Sequence, residues 1–144
     1  NEPLAQEAAI AENAKKLGIL AAGLAAQTYG KKLDAEQEIL VNIANIANDV
    51  FAIDSAVART LKAIDRDGEE AAKQKVLYTE IFAQEALARI EAEAKEIVVA
   101  STDGDNRRMM LSALRKLTRF EPHNLIAKKR EAAARLIEAE KYIV

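Results

Sequence analysis

The feature that most constrains the fold is a seam of aliphatic residues in the second quarter of the chain. Its members recur at steps of four and three residues, which places them on one face of an α-helix. The pattern is heptad-like, with one local slip of register. The seam consists of Ile39, Ile43, Ile46, Val50, Ile53, Val57, Leu61 and Ile64. A helix that carries it is about 32 residues long, or roughly 48 Å at 1.5 Å per residue.

Local signals predict the ends of this helix and of the one before it. Asp34 is a favourable N-cap residue, and Gln37 follows it at capping-box spacing. The seam ends at the turn 66–68. An earlier helix runs to Tyr29, and Gly30 follows it as the residue just beyond the C-terminus.

The second half of the chain predicts one long and two shorter helices. The long helix opens at residue 69 and leads to the turn cluster 101–106, which we expect to be a loop. A shorter helix follows, with Asp105 or Asn106 as its cap, and Asn124 caps the last helix. The fold class is therefore all-α, an antiparallel up-down helical bundle of three long and two shorter helices, and we expect a single domain over residues 1–144.

The chemistry-bearing residues are few. The chain has no cysteine, which excludes disulfides and thiolate metal sites and fits a reducing, cytoplasmic setting. His123, the one histidine, lies in a Glu-Pro-His-Asn turn and is expected to be exposed, so paired Glu-x-x-His di-iron motifs are excluded. The acidic residues Glu91, Glu93 and Glu96 have helix-surface spacing and predict a solvated face, with a Glu91–Lys95 ion pair. We predict no catalytic, cofactor-binding or metal-binding residue.

Charge is unevenly distributed. The net charge is −2, but residues 107–135 contain nine basic and two acidic side chains. This segment could neutralise acidic helices of the same bundle, dock an acidic neighbour or bind a phosphate-bearing ligand. Nucleic acid is disfavoured, because the net charge is negative and aromatic residues are scarce. The candidate docking face consists of Arg107, Arg108, Arg115, Lys116, Arg119, Lys128, Lys129 and Arg130.

Two segments carry a resemblance to a known family. Residues 30–64 read GKKLDAEQEILVNIANIANDVFAIDSAVARTLKAI, and after a D-G turn residues 74–97 read QKVLYTEIFAQEALARIEAEAKEI. This order resembles the extra C-terminal helical domain of the very-long-chain type of acyl-CoA dehydrogenase, and bacterial long acyl-CoA dehydrogenases are similar. The resemblance extends from about Ala8 to Leu136.

The resemblance implies a setting and a partner. The parent enzymes oxidise acyl-CoA thioesters to trans-2-enoyl-CoA in fatty-acid β-oxidation, using FAD and a glutamate base. None of their catalytic or flavin-binding motifs matches this sequence. The expected role is a non-catalytic structural or assembly domain, which contacts the catalytic body or a second subunit, with FAD and acyl-CoA bound only in the parent.

Two further expectations concern the ends of the chain and membranes. The start at Asn1, without methionine, suggests a domain excised from the C-terminus of a larger flavoenzyme. No uninterrupted apolar run approaches the ~18 residues that cross a bilayer. Membrane association is not expected either, because the polar faces are mixed in sign and no strongly amphipathic cationic segment is present. The alternative hypothesis is a self-contained helical adaptor that binds an anionic partner through its basic C-terminal third.

Overall fold

The computed structural model describes residues 2–144, and within that range it contains helices and no strand. Three helices are long and two are shorter, which confirms the predicted all-α class. A 3₁₀ helix, Gly30–Ala35, joins the first two long helices. The α-helices are α1 (Ala5–Tyr29), α2 (Gln37–Asp67), α3 (Glu69–Ser101), α4 (Gly104–Leu117) and α5 (Leu125–Ala139).

Hydrogen bonds between side chains show the direction of the two longest helices. Near the start of α2, Asn42 Nδ2 donates to Glu96 Oε2 of α3 at 2.8 Å. Near its end, the hydroxyls of Thr60 and Thr79 lie 2.8 Å apart in a buried hydrogen bond. Residue numbers therefore rise along α2 as they fall along α3, so the two helices are antiparallel.

The first and last helices fit the same up-down arrangement. Thr28 Oγ1, at the end of α1, donates to the Ser101 carbonyl at the end of α3, at 2.9 Å. Helices α1 and α3 are thus parallel, as two neighbours of an intervening antiparallel helix must be. Lys73 and Glu131 form an ion pair at 3.4 Å, and other α3–α5 contacts place α5 antiparallel along the first half of α3.

The predicted seam of α2 faces the core. Ile39, Ile46, Ile53 and Val57 are buried, and the other four members are half-buried. Residues seven positions apart return to nearly the same side of a helix, which explains why 39, 46 and 53 are the deepest. The largest fully buried side chains come from α1, α2 and α3: Ile10, Leu17, Ile46, Ile53, Ile90, Ile97 and Val98.

The helix ends agree with the sequence in part. Asn124 caps α5 as predicted, its Oδ1 accepting from the Ala127 amide at 3.0 Å, and Gly30 follows α1 with φ +54°. The predicted Asp34 cap is wrong, because the 3₁₀ helix incorporates Asp34 and α2 begins at Gln37. The loop predicted over 101–106 is shorter, since α4 already begins at Gly104.

One helix is more apolar than the sequence analysis indicated. Helix α2 contains an 18-residue window of mean hydropathy 1.2, long and apolar enough to cross a membrane by length and composition alone, and 17% of that window is buried. A count of uninterrupted apolar runs does not detect this window, because asparagine and aspartate residues interrupt the run while the mean hydropathy of the window stays high. A core helix of a soluble bundle can pass the same test.

Candidate functional site

Small residues of α1 let α2 approach closely. Ala14, Gly18 and Ala22 recur every four residues and line the side of α1 that faces α2. A Cβ atom added at Gly18 would lie 3.1 Å from Ile46 Cγ2, which is tighter than an ordinary contact. The missing side chain at Gly18 thus helps to shape a groove between the two helices.

This α1–α2 groove is apolar and open to solvent. It has a volume of about 520 Å³. Ile19 and Phe51, both on its lining, are each 74% exposed. Lys15 and Asp54 also line it and form an ion pair at 3.4 Å. Large apolar side chains clustered at this exposure are typical of surfaces that a partner covers.

The two helical glycines of α1 give a test of the close approach. Gly23→Ala is expected to raise the free energy of unfolding by about 0.5–1 kcal/mol, because alanine favours the helix and the added methyl group meets no atom within 4 Å. Gly18→Ala is expected to gain clearly less, since its methyl group presses on Ile46. Urea denaturation of both variants measures the difference. Equal gains at the two positions would show that the approach at Gly18 is not tight.

The basic side chains of α4 are partly engaged within the chain. Arg107 Nε donates to the Thr102 carbonyl at 2.9 Å, and its Nη2 donates to the Val99 carbonyl at 3.0 Å. It therefore fastens the end of α3. Arg108 lies 3.4 Å from Asp105, but both side chains are largely exposed, and such a pair contributes little stability.

The basic side chains of α5 are engaged similarly. Lys128 Nζ lies 2.5 Å from Glu80 Oε2, and Lys129 pairs with Glu85, so both lysines neutralise acidic residues of α3. Within the described residues α4 and α5 do not contact each other. The structure thus divides the candidate docking face between two helices. Arg107 bonds only to backbone carbonyls, and the other members without an ion pair in the described chain are Arg115, Lys116, Arg119 and Arg130. The docking role of the whole face stays a prediction.

The acidic residues Glu91, Glu93 and Glu96 of α3 are exposed or half-buried, and two of them also bond to α2. Glu93 Oε1 accepts from Asn45 Nδ2 at 2.9 Å, and Glu96 is bonded to α2 as described above. Arg89 adds a bidentate pair with Asp49, at 2.8 and 3.0 Å. These bonds tie α2 to α3. The expected Glu91–Lys95 ion pair does not form in the described chain.

A buried polar cluster lies where the start of α1, the middle of α3 and the segment before α5 meet. It consists of Glu7, Glu80 and His123, whose ligand-type atoms lie within 4.8 Å of one another. His123 was expected to be exposed, and that is wrong: its side chain is 20% exposed, because Glu121 and His123 lie against Gln6 and Glu7 at the start of α1. The Gln6 amide nitrogen lies 2.9 Å from His123 Nε2.

Glu7 is the most buried member of this cluster, at 3% exposure. Burial raises the pKa of its carboxyl group, and the charge of Glu80 adds to that effect. A backbone hydrogen bond and the nearby His123 and Lys128 oppose the rise without cancelling it. No local pattern in the sequence indicates this cluster, since its members are far apart along the chain.

Known proteins resemble this chain closely. Residues 13–116 match the family model described as "Acyl-CoA dehydrogenase, C-terminal domain". A "Probable acyl-CoA dehydrogenase" of Bacillus subtilis (strain 168) is 63% identical over 141 residues, which cover 98% of this chain and 24% of that protein. The crystal structure of an acyl-CoA dehydrogenase complexed with FAD from Bacillus anthracis is 60% identical, with a TM-score of 0.97 over the whole chain and 25% of that protein. The chain thus spans about a quarter of the length of these relatives.

Proposed function

The chain belongs to the family of acyl-CoA dehydrogenase C-terminal domains, and from this premise we propose that it is a non-catalytic docking domain of a flavin-dependent acyl-CoA dehydrogenase. In this proposal residues 1–144 form one helical-bundle domain. The remaining three quarters of the protein oxidise acyl-CoA in fatty-acid β-oxidation, and the α1–α2 groove packs against that catalytic body or a second subunit. No finding supports the alternative of a self-contained adaptor.

The observation that carries the proposal is the exposure of the α1–α2 groove. Ile19 and Phe51 are each 74% exposed although they lie together on the two helices. Covering such side chains stabilises a complex by about 25 cal/mol for each Å² of apolar surface removed from water. A domain that makes up a quarter of a larger chain meets the rest of that chain at high effective concentration, so an apolar face of this kind favours docking.

The residues of this chain do not fit FAD. A cavity of about 760 Å³ lies beside the buried cluster, and its acidic lining includes Glu69, Glu70 and Glu80. These carboxylates repel the pyrophosphate of FAD. The α1–α2 groove is apolar and offers Lys15 as its one cation, which already pairs with Asp54. We therefore assign flavin and acyl-CoA to the catalytic body and derive no catalytic step from this domain.

Two finer points belong to the same proposal. The unpaired cations Arg115, Lys116, Arg119 and Arg130 form an additional contact with acidic residues of the body or of a second subunit.

The protein is cytoplasmic, and docking rather than insertion into a membrane accounts for the apolar character of α2. Supporting this, α2 exposes Asn48, Asp54 and Arg59, which do not suit a lipid-facing surface.

The test is a double variant, Ile19→Asp with Phe51→Asp, made in the full-length parent protein. We expect the body and the domain to separate: limited proteolysis between them accelerates, and one thermal transition becomes two. In the 144-residue chain alone the same variant should keep its helical circular dichroism, because both side chains point to solvent.

A matched control is Ile137→Asp on α5, because Ile137 is equally exposed at 76% but lies outside the groove. It should leave proteolysis and the single transition of the full-length protein unchanged. The docking proposal is contradicted if the groove variant behaves like wild type, or if Ile137→Asp has the same effect as the groove variant.

A further inference from the structure

The buried cluster brings three metal-ligand side chains together from distant parts of the chain. Glu7 lies in the first turn of α1, Glu80 near the middle of α3, and His123 just before α5. One carboxylate oxygen or imidazole nitrogen from each lies within 4.8 Å of the others. The fold thus makes a cluster that no sequence motif predicts.

Two atoms of the cluster lack the partners that buried polar groups require. Glu7 is 3% exposed, and its Oε1 has no hydrogen-bond partner. The nearest atom of His123, Nε2, lies 3.7 Å away, too far for a hydrogen bond. Nδ1 of His123 is also buried without a partner, but its lone pair points away from that of Nε2 and so away from Glu7. An unsatisfied buried carboxylate oxygen is unfavourable, so the space between these groups suits a bound cation.

The charge around the cluster also favours a cation. Lys128 binds Oε2 of Glu80 and leaves the other oxygen of that carboxylate available. The adjoining cavity of about 760 Å³ gives access from solvent, and its lining includes Glu69 and Glu70 and one lysine, Lys73. The acidic lining therefore raises the local concentration of cations.

We propose that Glu7, Glu80 and His123 form a binding site for a divalent transition-metal ion of the zinc type. One imidazole nitrogen with two carboxylate oxygens matches zinc, whereas calcium and magnesium prefer oxygen ligands alone. Three protein ligands leave one position for water. The ion would fasten α1, α3 and the segment before α5 to one another. Binding of the ion at this site does not depend on docking of the domain to the catalytic body.

Gln6 gives the proposal a sharp internal test. Its amide nitrogen lies 2.9 Å from His123 Nε2 and also donates to the Glu121 carbonyl at 3.0 Å. The nitrogen that binds the metal is therefore occupied by a competing donor. Removing that donor should strengthen metal binding, which a merely structural hydrogen bond would not predict.

The experiment titrates the EDTA-treated 144-residue chain with ZnCl₂ in an isothermal calorimeter at pH 7.5. We expect one Zn²⁺ per chain and a rise in the melting temperature of roughly 5 °C or more at saturation. Glu80→Gln and His123→Ala should each weaken binding at least tenfold, since losing one ligand of three is expected to have a large effect. Gln6→Ala should bind Zn²⁺ more tightly than wild type, because the donor that competes for His123 Nε2 is gone.

The control is Glu91→Gln, which removes a carboxylate from the same helix as Glu80 but outside the cluster. It should bind Zn²⁺ like wild type. Absence of one-to-one binding in the wild-type chain would overturn the proposal, as would binding that His123→Ala leaves intact. Should a ligand variant lose its helical circular dichroism, Gln6→Ala decides, because it keeps all three ligands: unchanged or weaker binding in that variant contradicts the proposed site.

Discussion

Replacing Ile53 by alanine is expected to lower the free energy of unfolding by about 2–5 kcal/mol. Ile53 is fully buried at the centre of the α2 seam, where α1, α2 and α3 meet. The substitution removes apolar atoms from the core and leaves a cavity that rigid neighbouring helices cannot close. Urea denaturation followed by circular dichroism measures the loss as a lower midpoint with an unchanged slope.

Ile19→Ala is the matched control, because it removes the same atoms from a side chain that is 74% exposed. In the 144-residue chain we expect a change of no more than about 0.5 kcal/mol. In the full-length parent the same change should weaken docking. A large loss of stability for Ile19→Ala in the isolated chain would show that this side chain belongs to the domain's own core and not to an interface.

The fold could be predicted from the sequence because the features that determine it are local. Helical periodicity is a local property, and the seam through Ile46 and Ile53 reports directly which face of α2 is buried. The Asn124 cap is local too, since its acceptor and the Ala127 amide lie three residues apart. Features decided by a few neighbouring residues were therefore predicted correctly.

The predicted helix ends were wrong where the conformation of several consecutive residues, and not the type of one residue, decides where a helix begins. Asp34 is a suitable cap by type, but the 3₁₀ helix Gly30–Ala35 continues through it and moves the start of α2 to Gln37. Of the turn-forming residues at 101–106, only 102 and 103 lie outside a helix, because α3 ends at Ser101 and α4 begins at Gly104. In each case the side chain suits a cap, but the backbone places the helix end elsewhere.

The functional surfaces could be predicted only in part, because they depend on contacts between distant segments. The basic segment was visible as a charge pattern, but its pairing of Lys128 with Glu80 was not. His123 looked like a loop residue, since nothing local shows that its turn covers the start of α1. Likewise, Phe51 reads as one apolar residue among many until the structure places it beside Ile19 at the surface.

Glu7→Gln is expected to stabilise the chain at neutral pH in metal-free, EDTA-containing buffer. Burial raises the pKa of Glu7 above its ordinary value of 4.5. A carboxyl group with a raised pKa binds its proton more tightly in the folded state, so its contribution to stability is present below pH 4.5 and is lost as pH rises through the raised value. Glutamine mimics the protonated form at every pH. The stability of the variant relative to wild type should therefore increase with pH.

Urea denaturation at several pH values from 4 to 8 measures this difference. We expect it to be near zero at pH 4 and to reach about 1–3 kcal/mol at pH 8, the usual penalty for a buried polar group without a partner. Glu138→Gln, an exposed carboxylate on α5, should show no such trend. A wild type that is more stable than Glu7→Gln at pH 8 would mean that His123 and Lys128 outweigh burial. With Zn²⁺ in place of EDTA the sign should reverse, because the ion binds the ionised carboxylate and glutamine cannot replace it.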